Sequence, residues 1–237
     1  MSERIERTGN SVIVYDEALL DHVDASAFAV PTDANDQQDM DASAGRGRTL
    51  FKKIAGHECV LRHYYRGGMI RYLSDDSFIW AGQDRTRPFC EWRLLAGLRR
   101  RKLPVPIPVA ARYVRSGLFY TADLITERLP GVNSLAERVG AGTMSDDLWR
   151  AVGATIARFH AQRVFHADLN AHNIQIDGEG LIYLLDFDRG RIMRSSGRWG
   201  GRNLQRLHRS LEKVCRTSAG SFDNRNWATL LSGYAAP

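Results

Sequence analysis

The stretch His166-Ala167-Asp168-Leu169-Asn170-Ala171-His172-Asn173, followed by Leu184-Leu185-Asp186-Phe187-Asp188, carries the pattern from which the rest of the chain can be read. Asp168 with Asn173 five positions on matches H-x-D-x-x-x-x-N, and Asp186 lies thirteen residues beyond Asn173, at the end of an apolar run. Moving a phosphoryl group from ATP to a hydroxyl needs a carboxylate that orients the hydroxyl and takes its proton. It also needs oxygen ligands for the Mg2+ that neutralises the phosphates. Asp168 is the candidate catalytic carboxylate, and Asn173 and Asp186 are the candidate metal ligands. Asp and Asn are also common turn residues, because they hydrogen-bond their own backbone. Context separates the two readings. Leu148, Trp149, Val152, Ile156 and Phe159 give helical periodicity up to the loop, and the apolar runs 174–176 and 181–185 flank Asp177-Gly178-Glu179-Gly180 as a hairpin.

The same chemistry needs groups that hold the nucleotide. Gly45-Arg46-Gly47 precedes two strands, 49–54 and 58–65, joined at Ala55-Gly56. Glycines there let backbone amides approach phosphates, and Arg46 adds charge, so Gly45, Arg46 and Gly47 form the candidate phosphate loop; the plainer alternative is a flexible turn. Arg62, in Val60-Leu61-Arg62-His63-Tyr64, is the candidate cation for the phosphates, with Lys53 and Arg66 in reserve. Pro88 opens a helix in which Glu91, Leu94, Leu95 and Leu98 share a face. A carboxylate on a buried helix face is costly unless a cation meets it, so Glu91 implies a partner such as Arg62. The alternative leaves Glu91 in solvent at the edge of the stripe. A hairpin over 111–115 and 118–125 then runs into Thr126-Glu127-Arg128-Leu129-Pro130-Gly131. This is the expected hinge, whose backbone would hydrogen-bond the adenine, with Glu127 its candidate cofactor-binding residue; the alternative is an ordinary interlobe loop without adenine contact.

At 237 residues and 43% hydrophobic composition the chain can build one large domain or two small lobes. The expected division is a nucleotide-binding lobe over 1–128 and a catalytic lobe over 129–237. The acidic stretch 31–44, poor in apolar anchors, is expected to be a mobile loop. The first ten residues are polar and read as loose, 11–15 as a strand and 16–23 as a capped helix. No run reaches the roughly 18 apolar residues of a membrane span, and the start lacks the apolar core of a secretory signal, so a cytoplasmic location is expected. Cys59, Cys90 and Cys215 form neither a disulfide framework nor a metal pattern. A net charge of +6 favours an anionic partner. No nucleic-acid motif or aromatic platform accompanies the basic residues, so that partner is not expected to be a nucleic acid.

The 51 residues after Asp186 read as too few for the helical lobe with which protein kinases dock peptides, and no Ala-Pro-Glu follows. A small or lipid-linked acceptor is therefore expected. Leu204, Leu207, Leu211 and Val214 line one face of a helix that also carries Arg202, Arg206, Arg209, Lys213 and Arg216. With Arg189, Arg191, Arg194 and Arg198 upstream, the region is basic enough to meet phosphates at a membrane surface; the alternative is the solvated side of a core helix.

Gly45-Arg46-Gly47, the stretch Val60-Leu61-Arg62-His63-Tyr64-Tyr65-Arg66-Gly67-Gly68, the loop His166 to Asn173 and Leu185-Asp186-Phe187-Asp188-Arg189-Gly190-Arg191 together resemble the bacterial Kdo kinases. Those are similar to lipopolysaccharide core heptose kinases and, more distantly, to protein kinases. The resemblance implies an α+β, bilobal protein-kinase-like fold with a β-rich N-terminal lobe and a reduced, mostly helical C-terminal lobe. It implies ATP-dependent phosphorylation of the 4-hydroxyl of the Kdo (3-deoxy-D-manno-octulosonic acid) residue in Kdo-lipid IVA, at the cytoplasmic face of the inner membrane. Carried over by position, Asp168 is the base, Asn173 and Asp186 hold Mg2+, and Arg62 with Glu91 clamps the phosphates of ATP. Arg62 departs from the usual kinase lysine, and guanidinium and ammonium differ in reach and geometry. A core heptose, a soluble sugar, or a basic membrane-binding module without chemistry are the alternatives.

Overall fold

The computed structural model describes residues 2–29, 49–65, 76–195, 197–218 and 220–236. Contacts divide the chain into two units, Met1–Gly97 with Pro106–Arg128, and Leu98–Val105 with Leu129–Pro237.

In the first unit, β1 (Glu3–Thr8), β2 (Ser11–Asp16), β3 (Thr49–Ile54), β4 (His57–His63), β5 (Phe78–Ile79), β6 (Pro108–Ser116) and β7 (Phe119–Glu127) form an antiparallel sheet. The order is β1-β2-β6-β7-β4-β3, with β5 also on β7. Two-residue connections set the hairpin registers: Thr8 pairs with Ser11 across Gly9-Asn10, and Ile54 with His57 across Ala55-Gly56. Ala55 and Gly56 both have positive φ, 49° and 86°, the backbone such hairpins need to match strand twist. On one face Tyr15, Leu50, Cys59, Leu61 and Ile125 pack with Leu20, Val23 and Phe28 from the segment after β2. Helix α1 (Arg87–Arg100) brings Phe89 against Tyr113 of β6, with ring centroids 5.2 Å apart.

Two expectations fail here, for different reasons. Residues 3–8 are β1 rather than loose: charged residues suit an outer strand, whose open edge they protect from further pairing. Residues 16–23 are not a helix. Asp16 ends β2, and its Oδ1 accepts from the N–H groups of Ser2 (2.7 Å) and Ala18 (3.2 Å), turning the chain at once. The Asp16 carbonyl accepts from the N–H groups of Leu19 (3.0 Å) and Leu20 (3.1 Å), a single turn that does not continue; Leu20 and Val23 are buried, and a 3-10 turn capped by Asp24 follows over Ala25–Phe28.

The second unit holds β8 (Asn133–Ser134), α2 (Leu135–Gly140), α3 (Asp146–Ala161), β9 (Val164–Phe165), β10 (Ile174–Ile176), β11 (Ile182–Leu184), β12 (Arg191–Ile192), α4 (Trp199–Thr217) and α5 (Asn224–Ala235). The β10–β11 hairpin and the helices α3 and α4 stand where periodicity predicts them. Helices α2 and α5 were not anticipated, although both open on capping boxes, Ser134 with Glu137 and Asp223 with Asn226. Helices α3 and α5 cross at backbone contact. A Cβ on Gly153 would lie 2.0 Å from the Leu230 carbonyl oxygen, and one on Gly233 would lie 2.1 Å from that of Arg150. That approach seats the Tyr234 hydroxyl 2.9 Å from Nδ1 of His160. The class is thus α+β, with an antiparallel β-rich N-terminal unit and a helical C-terminal one. Among the described residues no helix is long and apolar enough to cross a membrane.

Candidate active site

Strand β9 delivers the chain into the Asp168 loop, and side chains close that loop locally. The Asn170 carboxamide oxygen accepts from the N–H groups of His172 (2.9 Å) and Asn173 (3.1 Å), starting the 3-10 turn Ala171–Asn173. Nδ2 of Asn173 in turn donates to the Asp168 carbonyl at 2.9 Å. His166 is buried and faces both halves of the motif. Its Nδ1 accepts from the Asp168 N–H (3.1 Å), so the ring proton sits on Nε2, which donates to the Leu185 carbonyl (2.7 Å). Burial lowers the His166 pKa and keeps the ring neutral, as that tautomer requires. With both ring nitrogens engaged, His166 is a structural hydrogen-bonding residue in this geometry.

Asp186 follows directly. The Leu185 N–H donates to the Asn173 carbonyl at 2.8 Å, so Asn173 and Asp186 are set beside each other by backbone. Asp186 has φ 58°, a left-handed conformation that costs a non-glycine residue about 1–3 kcal/mol and persists only where its surroundings dictate it. They do: the buried Phe187 ring stacks on Phe159 at 5.8 Å and lies 4.7 Å from the His166 ring. Behind this, Asn203 of α4 is buried and bridges His166 to His160. Its Nδ2 donates to the His166 carbonyl (2.7 Å), while its Oδ1 accepts from the His166 N–H (3.3 Å) and from Nε2 of His160 (3.3 Å). His160 titrates near 4, depressed chiefly by burial. The Asp168 carboxylate is 44% exposed, and Arg206 of α4 donates to its Oδ1 through Nε at 2.7 Å and also through Nη2.

In the first unit the buried Glu91 carboxylate, 2% exposed, meets the Arg62 guanidinium at 2.5 Å, as the cost of an unpaired carboxylate required. Tyr64 also donates to the same oxygen, Oε2, at 2.5 Å. Burial raises the Tyr64 pKa well above the usual phenol range, so it remains a neutral donor. Lys53 is exposed opposite Glu58. Glu127 pairs with Cys59 in register, and its carboxylate meets Nδ1 of His57 at 2.9 Å. Strand alternation puts that carboxylate on the opposite face from Arg62, so the two do not form one cluster. The Glu127 N–H is bonded to the Ile107 carbonyl and the Arg128 N–H to that of Glu58, both at 2.8 Å. Gly45, Arg46, Gly47 and the reserve Arg66 lie outside the described residues.

A family model described as the lipopolysaccharide kinase (Kdo/WaaP) family matches residues 33–234. The chain belongs to this family. It is a kinase, and its α+β architecture is of the kinase-like kind. Proteins named 3-deoxy-D-manno-octulosonic acid kinase align along most of it. The one from Xanthomonas axonopodis pv. citri is 43% identical over 229 residues, covering 97% of this chain and 91% of that protein. The one from Stenotrophomonas maltophilia strain K279a is 41% identical over 232 residues, with the same coverage. A third, from Xanthomonas campestris pv. campestris strain B100, is 44% identical over 209 residues, covering 88% and 83%.

The residues of this Kdo/WaaP kinase can be tested for their fit to Mg2+. Among the described residues no group of three or more His, Cys, Asp or Glu gathers. Mg2+ does not need one, since it commonly takes one or two protein oxygens and completes its octahedron with phosphate oxygens and water. Asn173 uses its amide nitrogen on the Asp168 carbonyl, which leaves its side-chain oxygen as the donor atom, and Asp186 follows one peptide beyond the Asn173–Leu185 bond. The donor set fits the ion. Sequence reasoning missed Tyr64, Asn203 and the Arg206–Asp168 pair. Arg206 registered only as one cation of a basic face, because nothing local links it to a carboxylate 38 positions away.

Proposed function

We propose that this kinase transfers the γ-phosphoryl group of ATP to the 4-hydroxyl of the Kdo residue in Kdo-lipid IVA. Asp168 accepts the hydroxyl proton as the oxygen attacks phosphorus and ADP departs. Arg62, held by Glu91 and Tyr64, cradles the phosphates; Gly45, Arg46 and Gly47 cover them, and the hinge at Glu127 meets the adenine. Mg2+ held by Asn173 and Asp186 would neutralise the phosphate oxygens. The observation that carries this reading is the half-exposed Asp168 carboxylate on a loop braced from both sides by His166 and Asn173. Identity above 40% to proteins named for Kdo supports the choice of acceptor. A lipid-linked acceptor also suits the exposed arginines along α4, which favour a peripheral position on the cytoplasmic face of the inner membrane.

The test is label transfer from [γ-32P]ATP to Kdo-lipid IVA with Mg2+, with the product's phosphate position read by NMR. Asp168→Asn is expected to lower turnover by about 100- to 10,000-fold, the range for removal of a general base, while leaving ATP affinity within about twofold. No labelled lipid from a folded, ATP-binding protein, or label on a heptose or soluble sugar instead, refutes the acceptor.

A further inference from the structure

A cavity of about 400 Å³ opens within the second unit beside the catalytic loop. Its lining combines apolar and aromatic side chains, Phe165, Met193 and Trp199, with cationic ones, Arg191 of β12 and Arg202, Arg206 and Arg209 of α4. The three α4 arginines fall at i, i+4 and i+7, which aligns them on one helix face. Among the described residues no acidic one lines the cavity. Among the described residues Arg202 and Arg209 have no carboxylate partner, and the Arg191 guanidinium lies over the Phe165 ring at 5.5 Å. Arginines set together without carboxylates repel one another, an arrangement that an incoming anion relieves.

Resting on the acceptor reading above, we propose that this cavity is the acceptor site, and that Arg202, Arg206 and Arg209 bind the carboxylate of the sugar being phosphorylated. Its size lies within the roughly 300–1,000 Å³ of small-molecule sites, enough for a sugar ring beside Phe165 and Trp199. Guanidinium is the side chain whose planar fork matches a carboxylate. Location selects the source of the anion. The cavity is lined by Ala167, next to the catalytic Asp168, and by Arg206, which already bonds the Asp168 carboxylate. A group bound there lies near the reacting hydroxyl, so it belongs to the same ring rather than to phosphates elsewhere on the lipid. Arg206 is then shared between the base and the substrate carboxylate, and fixes the distance between them.

Initial rates are measured for wild type, Arg202→Gln and Arg209→Gln with three acceptors: Kdo-lipid IVA, its Kdo methyl ester, and the same lipid without its lipid A phosphates. Both substitutions are at exposed helix positions. For the acid, each variant is expected to raise the acceptor KM about tenfold, the size of one charge-assisted hydrogen bond, with the KM for ATP unchanged. For the ester, variants and wild type are expected to differ by less than about twofold, because the partner charge is already gone. The phosphate-free lipid is expected to behave as the acid does. Equal penalties on acid and ester overturn the assignment. So does a penalty that vanishes only when the lipid phosphates are removed, which would give the arginines to those phosphates. Wild type that is inactive on every Kdo acceptor but active on another sugar rejects the acceptor reading itself, a result separable from the others.

Discussion

The two units handle buried polarity in opposite ways. In the first unit the buried groups are charged and paired: on the Arg62 face of the sheet Glu91 with Arg62 and Tyr64, and on the opposite face Asp123 with His63 at 2.6 Å and Arg112 at 2.8 Å. Behind the Asp168 loop they are neutral. Tyr234, His160, Asn203 and His166 form a chain of hydrogen bonds across α5, α3, α4 and the loop. A buried charge is tolerable only when its partner is present, so Glu91 holds Arg62 where phosphates are proposed to sit. A neutral network positions a loop without adding a net charge to the field at Asp168, which leaves Arg206 as the cation bonded to that carboxylate.

The largest expected effect on stability comes from breaking a charged pair. Glu91→Ala should destabilise the protein by about 3 kcal/mol, the low end for a broken buried pair because Arg62 is partly exposed. Glu91→Gln, which keeps an acceptor for Tyr64, should cost less. Chemical denaturation checks both, and a Glu91→Gln variant as stable as wild type would mean that charge is irrelevant there. Next comes the neutral network. Asn203→Leu strands the N–H and C=O of His166, and should cost about 2 kcal/mol and lower kcat while the KM for ATP holds, measured by denaturation and steady-state kinetics. A change in ATP KM alone would assign Asn203 elsewhere.

The pH dependence of the two units should differ in sign. The His63 pKa is raised, chiefly by its hydrogen bond to Asp123. Its contribution is fully present below the ordinary 6.5 and is lost as pH rises through the raised value. His160 is depressed to about 4, so its contribution is present above 6.5 and is lost as pH falls toward 4. NMR titration of the two rings checks this, and two midpoints on the same side of 6.5 would remove the contrast. The smallest expected change is Tyr234→Phe, which removes one hydrogen bond to His160 at a cost of about 1 kcal/mol in thermal or chemical unfolding.

Legibility followed the range of the interactions. The turn at Asn170, the hairpin through 177–180 and the periodicity of α3 are encoded within a few residues, so residue type and spacing reveal them. The Glu91–Arg62 pair spans 29 positions, yet it was inferable, because a carboxylate on an apolar helix face demands a cation. Strand β1 was missed because its residues are polar for a reason that exists only once the sheet has an edge. The apparent helix at 16–23 stops after one turn: Asp16 caps it, with its carbonyl accepting from Leu19 and Leu20, and no further helical bond follows.

The sequence by itself determined the kinase motif residues, the order of strands and helices around them, and the need for a partner to Glu91. The tertiary structure alone decided that Arg206 meets Asp168, that Asn203 ties His160 to His166, and that arginines and aromatic rings line one cavity beside the loop. Motifs and periodicities depend on neighbours along the chain. The other contacts join side chains tens of residues apart, whose meeting depends on how α3, α4 and α5 pack, down to Gly153 and Gly233, where the absence of a Cβ lets two backbones touch.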